Sequence, residues 1–146
     1  MNVKGIYRTS LIDYPGAISA VVFTGGCNLR CRFCHNPELA LDSPELETVP
    51  EADILSFLAT RKRLIDGVVI SGGEPTLREN LSGFCESLKS LGFRIKLDTN
   101  GSAPAKVAEL VKKKLIDYVA LDMKTSPQKY PEVTGSNLDF EPVLST

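Results

Sequence analysis

The stretch FRIKLDTNGSAPAKVAELVKKKLIDYVAL, residues 93–121, contains a complete strand–helix–strand unit. Three apolar residues alternate with polar ones from Phe93 to Leu97, as in a strand, and Pro104 begins a segment with apolar residues at helical spacing. The apolar run 118–121 predicts the next strand. Two strands joined by a helical crossover lie parallel in one sheet. This stretch therefore predicts an α/β fold built from parallel βα repeats.

The same unit recurs toward the amino terminus. Val68, Phe93 and Tyr118 begin successive strands 25 residues apart, which accommodates one strand and one crossover helix. With the apolar run 18–23, this makes four predicted strands. Periodicity leaves open a doubly wound sheet or part of a barrel; of an eight-stranded barrel, which takes about 250 residues, the chain could supply about half. No clear helix pattern develops in 140–146, so we expect a chain truncated at its carboxyl end.

Two helices between these strands have recognisable starts. Leu81 begins an apolar stripe at helical spacing, and Gly92 supplies its stop. Cys85 lies on this stripe and is expected to be a small core residue. Another helix is expected from Thr48, which forms a possible capping box with Glu51.

The composition suits a single globular domain spanning residues 1–146. Hydrophobic residues make up 42% of the chain and charged residues 24%. The formal net charge is -1, so electrostatics gives no indication of nucleic acid or an anionic membrane as a partner. Residues 1–10 lack a signal-peptide pattern, and no apolar run approaches the roughly 20 residues of a membrane span. We expect a cytoplasmic protein.

Three of the four cysteines fall within CNLRCRFC, residues 27–34, after the first predicted strand. In a reducing compartment this crowding indicates metal ligands rather than disulfides. Thiolates of Cys27, Cys31 and Cys34 can surround an iron–sulfur cubane and leave one iron without a protein ligand. The alternative is a structural zinc with His35 as fourth ligand, although zinc sites usually take paired ligands from two separate places.

Three further loops follow the later predicted strands: SGGEPT at 71–76, DTNG at 98–101 and DMK at 122–124. Parallel strands present their carboxyl ends at one edge of a sheet, so we expect these loops and the cysteine loop to face one cavity. Taken alone, the Gly-Gly-Glu-Pro sequence would indicate only a tight turn, and Asp122 with Lys124 only a solvated ion pair.

The CxxxCxxC spacing, with Phe33 before its last cysteine, resembles the signature of the radical S-adenosylmethionine (SAM) superfamily. The resemblance implies that this chain is the amino-terminal, four-strand part of a partial, TIM-like (βα)6 barrel. It also implies that Cys27, Cys31 and Cys34 ligate a 4Fe-4S cluster whose fourth iron is chelated by SAM. Reductive cleavage of SAM would then give a 5'-deoxyadenosyl radical.

The resemblance also implies residues that bind the cofactor. Gly72, Gly73 and Glu74 match the GGEP motif, whose backbone and acidic side chain receive the methionyl ammonium. Phe33 and His35, which flank the last cysteine, are candidate cofactor contacts.

Activating enzymes for glycyl radical proteins carry segments similar to the DTNG and DMK loops. That likeness implies that Asp98, Thr99 and Asp122 hold a monovalent cation near the methionyl carboxylate. It implies in addition that Lys124 contacts the cofactor.

Two segments, GIYRTSLIDYPG at 5–16 and CHNPEL at 34–39, resemble the anaerobic ribonucleoside-triphosphate reductase activating protein family. This resemblance implies abstraction of a hydrogen atom from a glycine Cα of that reductase, with electrons from a flavodoxin-like donor. Members of the family are longer, and their later strands help to bind the adenosine.

Two other functions stay open on sequence grounds. One is a radical SAM enzyme that acts on a small molecule or another peptide, because the four loops describe the cofactor site and not the substrate. The other is a metal-binding module without turnover, in which the cysteines would hold zinc.

Overall fold

The computed structural model describes residues 1–138 and 140–146, in which five strands form one sheet. The strands lie side by side in chain order: β1 Val3–Ser10, β2 Ser19–Thr24, β3 Gly67–Gly72, β4 Arg94–Thr99 and β5 Tyr118–Leu121. β1 pairs antiparallel with β2, and each later pair is parallel. The sheet is open, and the predicted α/β fold with parallel βα repeats is confirmed.

β1 is the strand that the sequence analysis missed. Its sequence VKGIYRTS mixes apolar, polar and basic residues, and only Val3 and Ser10 at its two ends are buried. Its pairing with β2 is irregular, with register shifts near Gly5 and before Ser10. An edge strand that buries little apolar surface needs no clear alternation, which explains why the pattern was invisible.

The helices of the described residues lie between the strands or follow the last one. They are α1 Pro37–Leu41, α2 Glu51–Thr60, α3 Leu81–Ser90, α4 Pro104–Lys112, α5 Tyr130–Thr134 and α6 Glu141–Ser145, with 3-10 turns at Pro75–Leu77 and Pro127–Lys129. Within residues 1–138 and 140–146, no helix has the length and apolar character that a membrane crossing requires.

The predicted capping box is wrong. α2 begins after Pro50, and no side chain caps it. Thr48 instead accepts a hydrogen bond from Lys4 of β1 at 3.1 Å. Glu51 binds the amino-terminal ammonium of Met1 at 2.8 Å. Both side chains therefore hold the start of the chain against α2. The sequence spacing of Thr48 and Glu51 does not reveal these contacts, because their partners are distant in the chain.

One face of the sheet packs against α2, α3 and α4. Ile70 and Leu97 from the central strands are fully buried in one cluster with Leu58, Phe84 and Leu110, one residue from each helix. Strand side chains alternate between faces, so residues between these apolar positions point to the other side of the sheet. The core thus occupies one face and leaves the opposite face free to carry polar groups.

Cys85 of α3 belongs to this core, as predicted. Burial raises the pKa of its thiol to about 12. A thiol buried among apolar side chains is inert as a metal ligand.

The sequence of 140–146 shows no clear helix pattern, yet the structure has a helix there. α6 is a short helix, and Val143 packs with Tyr130 and Phe140. The Tyr130 and Phe140 rings meet edge to face, with centroids 4.8 Å apart. A helix of five residues is too short to show a periodic pattern, so tertiary contacts with α5 and with Gly101 stabilise it.

We predict that β5 makes the chain self-associate. Among the described residues β5 pairs only with β4, so its other edge presents backbone donors and acceptors that can pair with another chain. Light scattering should show larger species for the 146-residue chain than for a version extended by further βα units. A short form that stays monodisperse over the same concentration range would contradict this.

Candidate active site

A cavity of about 440 Å³ lies at the carboxyl edge of the parallel strands. Its walls come from the loops after β2, β3, β4 and β5. They comprise Cys27, Leu29, Cys31, Phe33, Cys34, His35, Asn36, Ala40, Ser71, Gly72, Gly73, Asp98, Thr99, Asn100, Asp122 and Lys124. The predicted meeting of four strand-end loops at one cavity is confirmed.

The three clustered cysteines are free thiols, each partly exposed to this cavity. Burial raises the pKa of the Cys27 and Cys31 thiols, so metal binding at neutral pH must release their protons. The described residues contain no group of three His, Cys, Asp or Glu side chains placed to hold a single metal ion.

The glycines after β3 allow two loops to touch through their backbones. Gly72 has a φ of +111°, and a Cβ there would lie 2.4 Å from the Thr24 backbone. A Cβ on Gly73 would lie 2.2 Å from the carbonyl oxygen of Gly26. Any side chain at these positions would push the β3 loop away from the start of the cysteine loop. The Gly-Gly sequence is thus required for the close approach that shapes the cavity.

Glu74 lies beneath the cavity wall and is fully buried. One oxygen accepts hydrogen bonds from the Thr76 amide at 3.0 Å and the Thr99 hydroxyl at 2.8 Å, and the other accepts from the Asn100 amide at 2.7 Å. Its own amide donates to Gly26 at 2.8 Å. The carboxylate thus joins the β3 and β4 loops. Its contact with the cofactor stays a prediction.

Two acid–base pairs occupy the other side of the cavity. Lys96 of β4 donates to Asp98 at 2.5 Å, and Lys124 donates to Asp122. Asp122 is held against the DTNG loop, because its amide donates to the Thr99 carbonyl at 2.9 Å. Both aspartates were expected at this site from the sequence, whereas Lys96 was not. Its position two residues before Asp98 in a strand was the available signal, since such residues share a face.

Asn100 is a second residue that the sequence analysis missed. Its side-chain amide donates to the Cys27 sulfur at 3.7 Å and to the Asn28 side chain at 2.9 Å. In the sequence, Asn100 was named only as part of the DTNG loop. No local signal indicated a contact with a thiol 73 positions earlier in the chain.

Tyr130 is the third missed residue. It is fully buried, and its hydroxyl has no hydrogen-bond partner among residues 1–138 and 140–146. Burial raises its pKa, and the charges of Cys31 and Asp122 raise it further. Its helix lies beyond the last predicted strand, where the sequence showed no pattern.

Comparison with known proteins gives a family and several relatives. The family model of the Radical SAM superfamily matches residues 21–146. A protein of Methanocaldococcus jannaschii named "Putative glycyl-radical enzyme activating enzyme" is 43% identical over 97% of this chain and 58% of its own length. The pyruvate formate-lyase-activating enzyme of Listeria monocytogenes is 31% identical over 91% of this chain and 57% of its own length. This chain thus spans just under three fifths of these relatives.

A third relative and one solved structure widen the comparison. The "Probable GTP 3',8-cyclase" of Methanococcus aeolicus is 32% identical over 82% of this chain and 42% of its own length. QueE from Escherichia coli superposes with a TM-score of 0.61 over 99% of this chain and 66% of that chain, at 15% identity. At that identity the superposition shows a shared fold and no more.

We predict that Glu74→Gln destabilises the protein. An amide in place of the carboxylate must turn its NH2 group toward either the Thr76 or the Asn100 backbone N–H, so two donors face each other. The loss of a buried charged acceptor costs about 1–3 kcal/mol, which thermal unfolding should detect. The exposed Glu79→Gln, with the same charge change, should unfold like the wild type. Equal melting of all three proteins would mean that Glu74 does not hold the loops.

Proposed function

Because this chain belongs to the radical SAM superfamily, which implies a 4Fe-4S cluster and SAM, we propose that it carries the cofactor site of a glycyl-radical-activating enzyme. The observation that carries this proposal is the single cavity shared by three free thiols, the Gly72-Gly73 backbone and the Asp98 and Asp122 loops. The relatives named as activating enzymes support the choice of reaction.

The residues of this cavity fit the cluster and SAM. Cys27, Cys31 and Cys34 would ligate three irons, which leaves the fourth iron open toward the cavity. When bound, the cluster would supply the electron for reductive cleavage of SAM, and the resulting 5'-deoxyadenosyl radical would abstract a hydrogen atom from a glycine Cα. The exposed backbone at Gly72 and Gly73 would accept from the methionyl ammonium, since no side chain blocks its approach.

Other wall residues would position the cofactor or exclude water. Phe33 and His35 flank the last ligand, and both line the cavity. In this proposal Phe33 covers one side of the cluster, and Lys124 binds the carboxylate of the methionine part of SAM. Thr99 turns its hydroxyl toward Glu74, so its part would be to support the β4 loop.

The partner is proposed to be anaerobic ribonucleoside-triphosphate reductase, with a flavodoxin-like protein as electron donor. The resemblance of residues 5–16 and 34–39 to activators of that reductase supports this choice. Segment 34–39 begins at the cavity. In segment 5–16, residues 10–16 connect β1 to β2 at the far end of the sheet. In this proposal residues 10–16 would contact the partner and not the cofactor.

A reaction on a small molecule is the second candidate. The identity to the "Probable GTP 3',8-cyclase" favours it, and the cavity loops are compatible with either substrate.

The two functions differ in what accepts the radical, so one experiment separates them. After anaerobic reconstitution, SAM and dithionite should yield 5'-deoxyadenosine. A glycyl radical signal by electron paramagnetic resonance should follow only when the reductase is added.

The cysteine assignment makes the next prediction. Cys27→Ala, Cys31→Ala and Cys34→Ala should each abolish the absorbance of a reconstituted 4Fe-4S cluster, because each removes one of three thiolate ligands. Cys85→Ala should retain the full cluster, since that thiol lies in the core. A wild-type chain that binds one zinc and assembles no cluster, under conditions that suffice for a full-length relative, would assign the site to zinc.

We predict that Asn100→Ala lowers the reduction potential of the cluster. Hydrogen bonds to ligand sulfur stabilise the more negative, reduced state. Loss of one such bond, at roughly 1 kcal/mol, corresponds to about 40 mV for a one-electron couple in a redox titration. Asn28→Ala is the matched control, because it removes the other partner of Asn100 and leaves the sulfur contact. An unchanged potential in Asn100→Ala would contradict the assignment.

A further inference from the structure

Lys96 carries a charged side chain that is almost buried. Its side chain is only 10% exposed, and its ammonium is 2.5 Å from Asp98. Lysine is rarely buried unless its charge is paired. In the sheet, Lys96 lies between Val69 of β3 and Tyr118 of β5, on the face opposite the helices. The strands therefore hold the ammonium in position beside the cavity.

The Lys96–Asp98 pair faces the proposed cofactor site. Lys96, Asp98 and Asp122 line one pocket with Ser71, and Ser71 and both aspartates also line the main cavity. Asp98 pairs in register with Ala120, so Asp122 follows two residues later on the same face. The carboxylates that the resemblance assigns to a monovalent cation are thus the same groups that bind lysines.

The charges at this place are already balanced. Lys96 neutralises Asp98, and Lys124 neutralises Asp122. A sodium or potassium ion between the two carboxylates would compete with Lys96 for an oxygen of Asp98 and would repel its ammonium. These residues do not fit the cation that the sequence analysis expected.

We infer that Lys96 is a built-in counter-ion that takes the place of the monovalent cation at Asp98. Its role is positioning, because its ammonium orients a carboxylate of the cavity wall. The inference rests on the proposed function, in which this wall adjoins the methionyl carboxylate. The consequence is a SAM site that works without sodium or potassium.

The test compares SAM affinity of the reconstituted protein in sodium, potassium and tetramethylammonium chloride at equal ionic strength. Wild-type affinity should be the same in all three salts. Lys96→Met keeps the length of the side chain and removes its charge, so SAM affinity should fall about tenfold in tetramethylammonium, as for a lost charged hydrogen bond. Sodium or potassium should restore most of that affinity, because the vacated position can then bind the ion.

Lys113→Met is the matched control. Lys113 also pairs with a carboxylate, that of Glu109, but on the exposed surface of α4. Its removal should leave the affinity equal in all three salts. A Lys96→Met protein that stays insensitive to the salt, or a wild type that needs sodium or potassium, would overturn the inference.

Sodium-23 relaxation provides a readout that does not depend on SAM binding. The wild-type protein and Lys113→Met should broaden the sodium signal equally. Lys96→Met should broaden it more than either of them. Saturable broadening by the wild type, absent in Asp98→Asn, would show that a cation binds despite Lys96. A chain that assembles no cluster and binds no SAM would refute the proposed function, whereas the sodium measurement would still decide the role of Lys96.

Discussion

The buried carboxylate of Glu74 is the interaction on which the cavity depends. A charged group without water is stable only when hydrogen bonds surround it, and the Thr76, Thr99 and Asn100 donors do so here. These donors belong to two loops that follow different strands. One side chain thus joins the β3 loop to the β4 loop. The same residue donates its amide to Gly26, which brings the cysteine loop into the arrangement.

This link fixes the distances at which the cavity groups can act. The backbone of Gly73 lies against Gly26, so the cysteine loop has little freedom relative to the β3 loop. The Asn100 amide is held by Glu74, and its side chain is thereby directed at the Cys27 sulfur. Across the cavity, rigid strands position Lys96 and Asp98. A preorganised wall of this kind orients a cofactor without reorganising when it binds.

Much of this arrangement could be predicted from particular residues. The regular spacing of Val68, Phe93 and Tyr118 predicts parallel strands, and that geometry brings the strand-end loops together. β1 could not be predicted, because an edge strand buries few side chains. The expected capping box failed for a related reason: Thr48 and Glu51 have the right spacing, but β1 and the chain start offer them stronger partners.

The sequence by itself determined which chemical groups meet, because the periodicity of strands and helices sets which residues follow each strand. Only the tertiary structure decided what each group does there. Glu74 supports two loops because burial and three surrounding donors occupy its oxygens. Asn100, which lines the cavity, reaches Cys27 through a contact between distant parts of the chain. Lys96 became a counter-ion because the helices cover the other face of its strand, which leaves its ammonium beside Asp98.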